Sequence, residues 1–207
     1  MSVAQQIALS GGDLVVLQPE EAAELPDDGP VEWAPLVPYW AVLWRSGLAL
    51  ARELAEQPLD GMRVVELGCG LGVPSLVAAR GGAEVLATDE DPEALELLER
   101  NAAENGLRLE TARVEWSAPG ELGRFDLALA ADVLYERASV APLLKLLPRV
   151  AKEVWLADPG RATAGAFLEQ ARRRWTVTTT ERDGVQIHRL TAPRRPPAPA
   201  FRPPRRG

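Results

Sequence analysis

Residues Val64-Val65-Glu66-Leu67-Gly68-Cys69-Gly70-Leu71-Gly72 constrain the fold more than any other part of the chain. A short apolar strand runs into three alternating glycines, an apolar stretch of helical length follows, and the next apolar run ends at Thr88-Asp89. Strand, glycine turn, helix and acid-terminated strand, in that order, predict a βαβ unit. Its loop and its acid share the carboxyl edge of a parallel sheet, where ligands bind in open α/β folds.

The alternation continues beyond that unit. Arg63–Leu67 and Ala83–Thr88 read as the first two strands, with Pro74 opening the helix between them and Gly81-Gly82 closing it. Asp91 caps the next helix, Pro92 takes its first position, and Asn105-Gly106 ends it. Leu109–Glu115, Phe125–Ala130 and Glu153–Ala157 follow as strands, with helices over Val140–Val150 and Gly165–Arg174. Trp175–Thr180 and Val185–Thr191 flank Arg182-Asp183-Gly184 and read as a closing hairpin. The expected fold is α/β: a Rossmann-like three-layer sandwich around a seven-stranded, mostly parallel sheet with one antiparallel strand near the C-terminus.

Three segments are expected. Residues 1–37 read as an N-terminal arm with one strand at Leu14–Leu17 and an acidic loop from Pro19 to Pro30. Residues 38–192 read as the main α/β domain, opening with a helix over Trp40–Glu56. Residues 193–207 hold six prolines and five arginines and predict a disordered tail. The net charge is −7, and the tail carries no acid, so residues 1–192 stand at −12 (−7 less the tail's +5). That acidity argues against nucleic-acid binding and suits a basic partner. The only cysteine, Cys69, and the only histidine, His188, leave no disulfide framework and no metal site to read. With no leader-like start and no membrane-length apolar run, a cytoplasmic protein is expected.

The loop's details discriminate among nucleotide ligands. A phosphate-cradling loop ends in lysine followed by serine or threonine, whereas this one continues Leu71-Gly72-Val73-Pro74-Ser75. A dinucleotide fingerprint needs glycine or alanine where Val73 stands. Glu66, a carboxylate near the end of a buried strand, calls for a cation and would repel a pyrophosphate. Asp89 ends the second strand where an acid accepts hydrogen bonds from ribose hydroxyls. Ammonium plus ribose without phosphate describes S-adenosylmethionine.

On Glu66-Leu67-Gly68-Cys69-Gly70-Leu71-Gly72 and Thr88-Asp89 the chain resembles class I, seven-strand methyltransferases. Trp44, Trp116 and Ala131-Asp132-Val133-Leu134-Tyr135 sharpen this to methyltransferase family 16, which includes many protein-lysine methyltransferases. Pro38-Tyr39-Trp40-Ala41-Val42-Leu43-Trp44 and Asp158-Pro159-Gly160-Arg161 resemble the branch that methylates lysines of the electron-transfer flavoprotein β-subunit. The resemblance implies that Gly68, Cys69 and Gly70 meet the cofactor through backbone and that Glu66 faces its amino-acid end. It also implies Asp89 on the ribose, Trp116 beside the adenine, Ala131 at the pocket floor and Trp44 near the methionine portion.

Methyl transfer from a sulfonium needs alignment and a nucleophile with a free lone pair. Asp132 and Tyr135 stand where the fourth strand ends; Asp132 is expected to orient or deprotonate the acceptor amine and Tyr135 to shape its channel. The paired prolines of enzymes that methylate exocyclic base nitrogens or glutamine amides are missing from Asp132-Val133-Leu134-Tyr135. The expected acceptor is a lysine-bearing protein. A small-molecule N- or O-methyltransferase, or a catalytically silent cofactor-binding module on the same fold, are the alternatives.

Overall fold

The computed structural model describes residues 1–23 and 38–192. The chain opens with an antiparallel hairpin, β1 (Ser2–Ile7) and β2 (Leu14–Pro19), and one helical turn, α1 (Glu20–Ala23). A 3-10 turn at Tyr39–Ala41 precedes α2 (Arg45–Leu54). Then follow β3 (Arg63–Leu67), α3 (Val73–Arg80), β4 (Glu84–Asp89), α4 (Pro92–Glu104), β5 (Glu110–Arg113) and β6 (Phe125–Ala131). The chain continues with α5 (Val140–Val150), β7 (Ala151–Asp158), α6 (Ala162–Ala171), β8 (Thr176–Arg182) and β9 (Val185–Thr191).

The main sheet has seven strands in the order β5-β4-β3-β6-β7-β9-β8. Strands β3 to β7 pair in parallel, and β9 runs antiparallel to both of its neighbours. It is the expected sheet with its single reversed strand. Chain direction across the sheet switches between β3 and β6, which opens a crevice at their carboxyl ends.

Side-chain alternation sorts the sheet into two faces. Val64 packs with Leu50 and Leu54 of α2 and Leu76 of α3, whereas Val65 and Leu67 pack with Leu143 of α5 and Phe167 of α6. Burying each of these leucines contributes about 2 kcal/mol before chain entropy. Glu66 falls on the α2–α3 face by the same alternation, and that placement decides its surroundings. Asp91 caps α4 through its carboxylate, which accepts from the Glu93 amide at 2.9 Å.

Two expectations change at the N-terminal end. The first is α2, which starts at Arg45 and not at Trp40, because Trp44 is extended (φ −68°, ψ 140°) and its indole N–H donates to the Tyr39 carbonyl at 2.9 Å. That bond folds the aromatic run into a loop over the sheet edge. The second is the arm, which holds two strands where one was expected; Ile7, Leu14 and Val16 join the core beside α4. Asn101 and Asn105 of α4 serve as that hairpin's neighbour. Asn101 accepts from Leu17 N (2.7 Å) and donates to Leu17 O (3.2 Å), and Asn105 does the same with Val15 (2.9 and 2.7 Å). The remainder of the expected arm, 24–37, and the 193–207 tail lie outside the described residues.

At the opposite edge α2 is pinned to the closing hairpin. Glu53 pairs with Arg182 (2.8 Å) and Arg189 (2.5 Å), and the Arg189 guanidinium lies 3.9 Å from the centre of the Trp155 ring. This network holds the helix that follows Trp44.

Candidate functional site

At the switch point a cavity of about 680 Å³ opens at the carboxyl edge of the sheet. All ten residues expected in the site line it: Trp44, Glu66, Gly68, Cys69, Gly70, Asp89, Trp116, Ala131, Asp132 and Tyr135.

The glycine loop forms because β3 must turn sharply into α3. Gly68 and Cys69 donate to the Thr88 carbonyl at 2.8 and 2.9 Å, which lashes the loop to β4. Gly72, at φ +71°, meets α4 so closely that a Cβ would stand 2.8 Å from Leu98 Cδ2. A Cβ on Gly68 would lie 3.0 Å from Trp116 Cζ2 and 3.1 Å from Val133 Cγ1. The bare glycine therefore lets the Trp116 indole and Val133 pack directly against the loop backbone. The Trp40 backbone packs against Gly70, and Trp40, which sequence reasoning left out of the site, also lines the cavity.

Two carboxylates line the cavity beside this loop. Glu66 is 1% exposed; its Oε2 accepts from the Ser75 backbone N–H at 2.9 Å and from the Ser75 hydroxyl. Its Oε1 is buried without a partner. Burial pushes this carboxyl up to about 8; the Ser75 bonds oppose the rise and the nearby Asp89 charge adds to it. A buried, orphaned carboxylate oxygen beside a cavity is a receptor for a cationic donor. Asp89 accepts from Gly70 N at 2.9 Å and Asp91 N at 3.0 Å, and burial also raises its carboxyl. Those two bonds hold the carboxylate on the cavity wall, where its remaining lone pairs can accept from hydroxyls. Cys69 is a buried thiol held up by burial, so it behaves as a small packing residue in the turn.

The other half of the cavity is aromatic. The rings of Tyr39 and Trp44 lie 6.5 Å apart, and those of Tyr39 and Tyr135 lie 5.1 Å apart and tilted by 45°. Burial, with Glu136 and Glu90 nearby, pushes the Tyr135 phenol up to about 12, so it stays protonated. Asp132, beyond β6, has a left-handed backbone (φ +56°), and its amide donates to the Ala157 carbonyl at 2.9 Å. Its Oδ1 accepts from Arg161 Nε at 2.7 Å. Asp132 is therefore half of an ion pair, where the sequence suggested an independent acid.

Sequence reasoning placed Tyr39 only within an aromatic run and did not assign Arg161 or Ser75. Tyr39 had a signal, since an aromatic directly before a glycine-loop strand's leading helix stands at the sheet edge. The partners of Asp132 and Glu66 depend on contacts across 29 and 9 residues. His188 is buried in β9 with its Nδ1 2.8 Å from Thr179 Oγ1, away from the cavity lining, and burial lowers its imidazole.

Known proteins bear on this arrangement. The 16S rRNA methyltransferase of T. Thermophilus superposes with a TM-score of 0.68 at 19% identity, covering 93% of this chain and 51% of that one, which establishes the fold. The electron transfer flavoprotein beta subunit lysine methyltransferase of Xenopus laevis is 37% identical over 133 residues, 60% of this chain and 54% of its own. The protein N-lysine methyltransferase METTL21A of Danio rerio is 36% identical over 117 residues, 52% of this chain and 53% of its own. The chain thus spans about half the length of the curated relatives it matches. The sequence profile of a family described as lysine methyltransferase matches residues 40–156, from the aromatic run through β7. This chain belongs to the lysine methyltransferase family.

Proposed function

We propose that this chain transfers a methyl group from S-adenosylmethionine to the side-chain amine of a lysine in a protein. The observation that carries the reading is one cavity with two unlike halves. One half holds Glu66 with its unpartnered oxygen, the Asp89 carboxylate and the Trp116 indole packed on Gly68. The other holds Tyr39, Tyr135 and Asp132. The first half fits the cofactor group by group, with Glu66 for the ammonium, Asp89 for the ribose hydroxyls and the Trp116 indole for the adenine, and Trp44 at the edge of the aromatic half lies beside the sulfonium. Bound there, S-adenosylmethionine supplies an activated methyl carbon.

The chain's own residues do the rest. Tyr39 and Tyr135, packed against each other, form one aromatic wall of the cavity, along which an aliphatic stem lies with water excluded from its end. Asp132 accepts a hydrogen bond from the amine and aims its nitrogen. Exposed Glu90 and Glu136 line the mouth and draw a cation in. The relatives named for it make the electron-transfer flavoprotein β-subunit the first acceptor to test.

Tritiated S-adenosylmethionine incubated with that subunit, and with a lysine-rich protein extract, should label lysine in wild type and not in Asp89→Ala. Label confined to small molecules would replace the acceptor class. No transfer by a protein that binds S-adenosylhomocysteine would leave only the silent cofactor-binding reading.

A further inference from the structure

The Asp132–Arg161 pair lies in the acceptor half of the cavity, and its geometry is fixed from both sides. Asp132 is held by its left-handed backbone and by its amide bond to Ala157. Arg161 opens α6, and its backbone N–H donates to Asp158 Oδ1 at 2.6 Å alongside Gly160 N at 2.7 Å. From that anchored turn the Arg161 side chain reaches back to Asp132 Oδ1. The Asp132 side chain is 7% exposed and that of Arg161 23%, so the pair sits largely out of water, and both line the cavity.

An acceptor lysine therefore meets a carboxylate that is already neutralised. Its nitrogen can reach the second carboxylate oxygen, but a guanidinium stands on the first. Partial burial disfavours the Arg161 charge, yet the Asp132 bond and the Asp132 and Asp158 charges outweigh that and hold it protonated. Asp158, at the end of β7, also faces the pair: its Oδ2 is buried without a partner, and burial raises its carboxyl and so disfavours its charge. Tyr39 before α2 faces it too, and Tyr135, Glu136, Asp89 and Glu90 line the same cavity. Glu90 and Glu136 are exposed at the mouth, so attraction for an ammonium is strongest at the entrance, while at the pair Arg161 offsets Asp132 and burial opposes the Asp158 charge.

We propose that Arg161 is a positioning residue that neutralises Asp132, so that the inner acceptor site takes lysine as the neutral amine, its proton released to solvent. The inference rests on the lysine methyltransferase reading above. A unit charge about 5 Å from the amine, at the effective dielectric of a partly buried site, moves its ionisation by on the order of one to two pH units. Removing that charge leaves Asp132 as an unpaired anion that grips the ammonium and keeps its proton on.

The test uses the full chain saturated with S-adenosylhomocysteine and titrated calorimetrically with recombinant electron-transfer flavoprotein β-subunit in buffers of different ionisation heat. It is run near pH 9, where a free lysine, ionising at about 10.4, is still protonated. Wild type should release close to one proton on binding, Arg161→Met less than half as much, and Arg161→Lys as much as wild type. In turnover, the acid limb of the kcat profile should move up by about one pH unit in Arg161→Met without a rise in KM, so kcat falls about tenfold at pH 7.5 and recovers at high pH. Arg161→Gln replaces the methionine variant if the latter does not fold.

Equal proton release and superimposable pH profiles in Arg161→Met overturn the proposal, as does an Arg161→Lys that behaves like Arg161→Met. A uniform loss of kcat at every pH also overturns it, since that is what a merely structural tie would give. A wild type that neither binds nor methylates the subunit or any lysine protein of an extract overturns the parent reading, and this inference with it.

Discussion

Glu66 makes the affinity of the cofactor site depend on pH in a way that can be worked from the structure. Its carboxyl titrates at about 8. Oε2 is occupied by two donors from Ser75, so the proton resides on Oε1, the oxygen left without a partner. At pH 7 roughly nine in ten empty sites then carry that proton, and a protonated oxygen cannot pair with an ammonium. Affinity for S-adenosylhomocysteine, which bears the same ammonium as the methyl donor, should weaken about tenfold per pH unit below 8 and level off above it. Calorimetric titration from pH 6 to 9 reads this directly. Glu66→Gln keeps the Ser75 bonds and removes the titration, so its affinity should be flat across the range and about a hundredfold weaker at pH 8.5. Stability moves the opposite way. The folded value lies above the ordinary 4.5, so folding takes up a proton, and the native state is favoured below the unfolded value. It then loses on the order of 5 kcal/mol as pH rises from 4.5 through 8. Urea unfolding of the empty protein should show that loss in wild type and not in Glu66→Gln. An affinity for S-adenosylhomocysteine no steeper with pH in wild type than in Glu66→Gln would refute the reasoning.

Other residues give sharper single measurements. Asp89→Ala removes the acceptor for two backbone amides of the loop as well as the hydroxyl-facing carboxylate, and calorimetry should find affinity for S-adenosylhomocysteine down by about a hundredfold or more. Gly72→Ala combines a left-handed backbone cost of about 1 kcal/mol with overpacking against Leu98 of about 1–3 kcal/mol. Adding Leu98→Ala should make the double variant less destabilised in urea than the sum of the singles; strict additivity would rule out the clash. His188 is held below its ordinary 6.5 chiefly by burial, so its contribution is intact above 6.5 and is lost as pH falls toward its folded value. Between pH 6.5 and 5 the stability of His188→Gln should therefore fall less steeply than that of wild type.

The parts of this molecule legible in its sequence are those that local chemistry determines. The ends of β3 and α5 match the residue pattern because an apolar run there stops at a glycine turn or a strand start. Asp91 caps α4 because its side chain needs only an amide two residues on. The cavity lining was readable for the same reason: Glu66, Gly68, Asp89 and Trp116 sit at or within three residues of strand ends, and a parallel sheet gathers strand ends at one edge. What escaped is pairing. Asp132 was visible as an acid beside the acceptor, but its partner lies 29 residues away on another strand's turn. Strand β1 was missed because Gln5 and Gln6 break the apolar alternation, and the hairpin is held by amides of a distant helix. Trp40 looked like the head of a helix until the indole of Trp44 claimed the Tyr39 carbonyl.

The two asparagines of α4 have a metrical consequence. Four helical residues advance about 6.0 Å, and two strand residues about 6.6 Å, so Asn101 and Asn105 keep step with Leu17 and Val15. A helix can impersonate a strand only over such a short stretch, because the two spacings drift apart as the elements lengthen. It also cannot slip. Inserting one residue between the asparagines would swing the second by about 100° around the helix and strip the Val15 rung of both bonds. Length variation in this chain should therefore accumulate in the loops on either side of α4 and spare the four-residue interval itself.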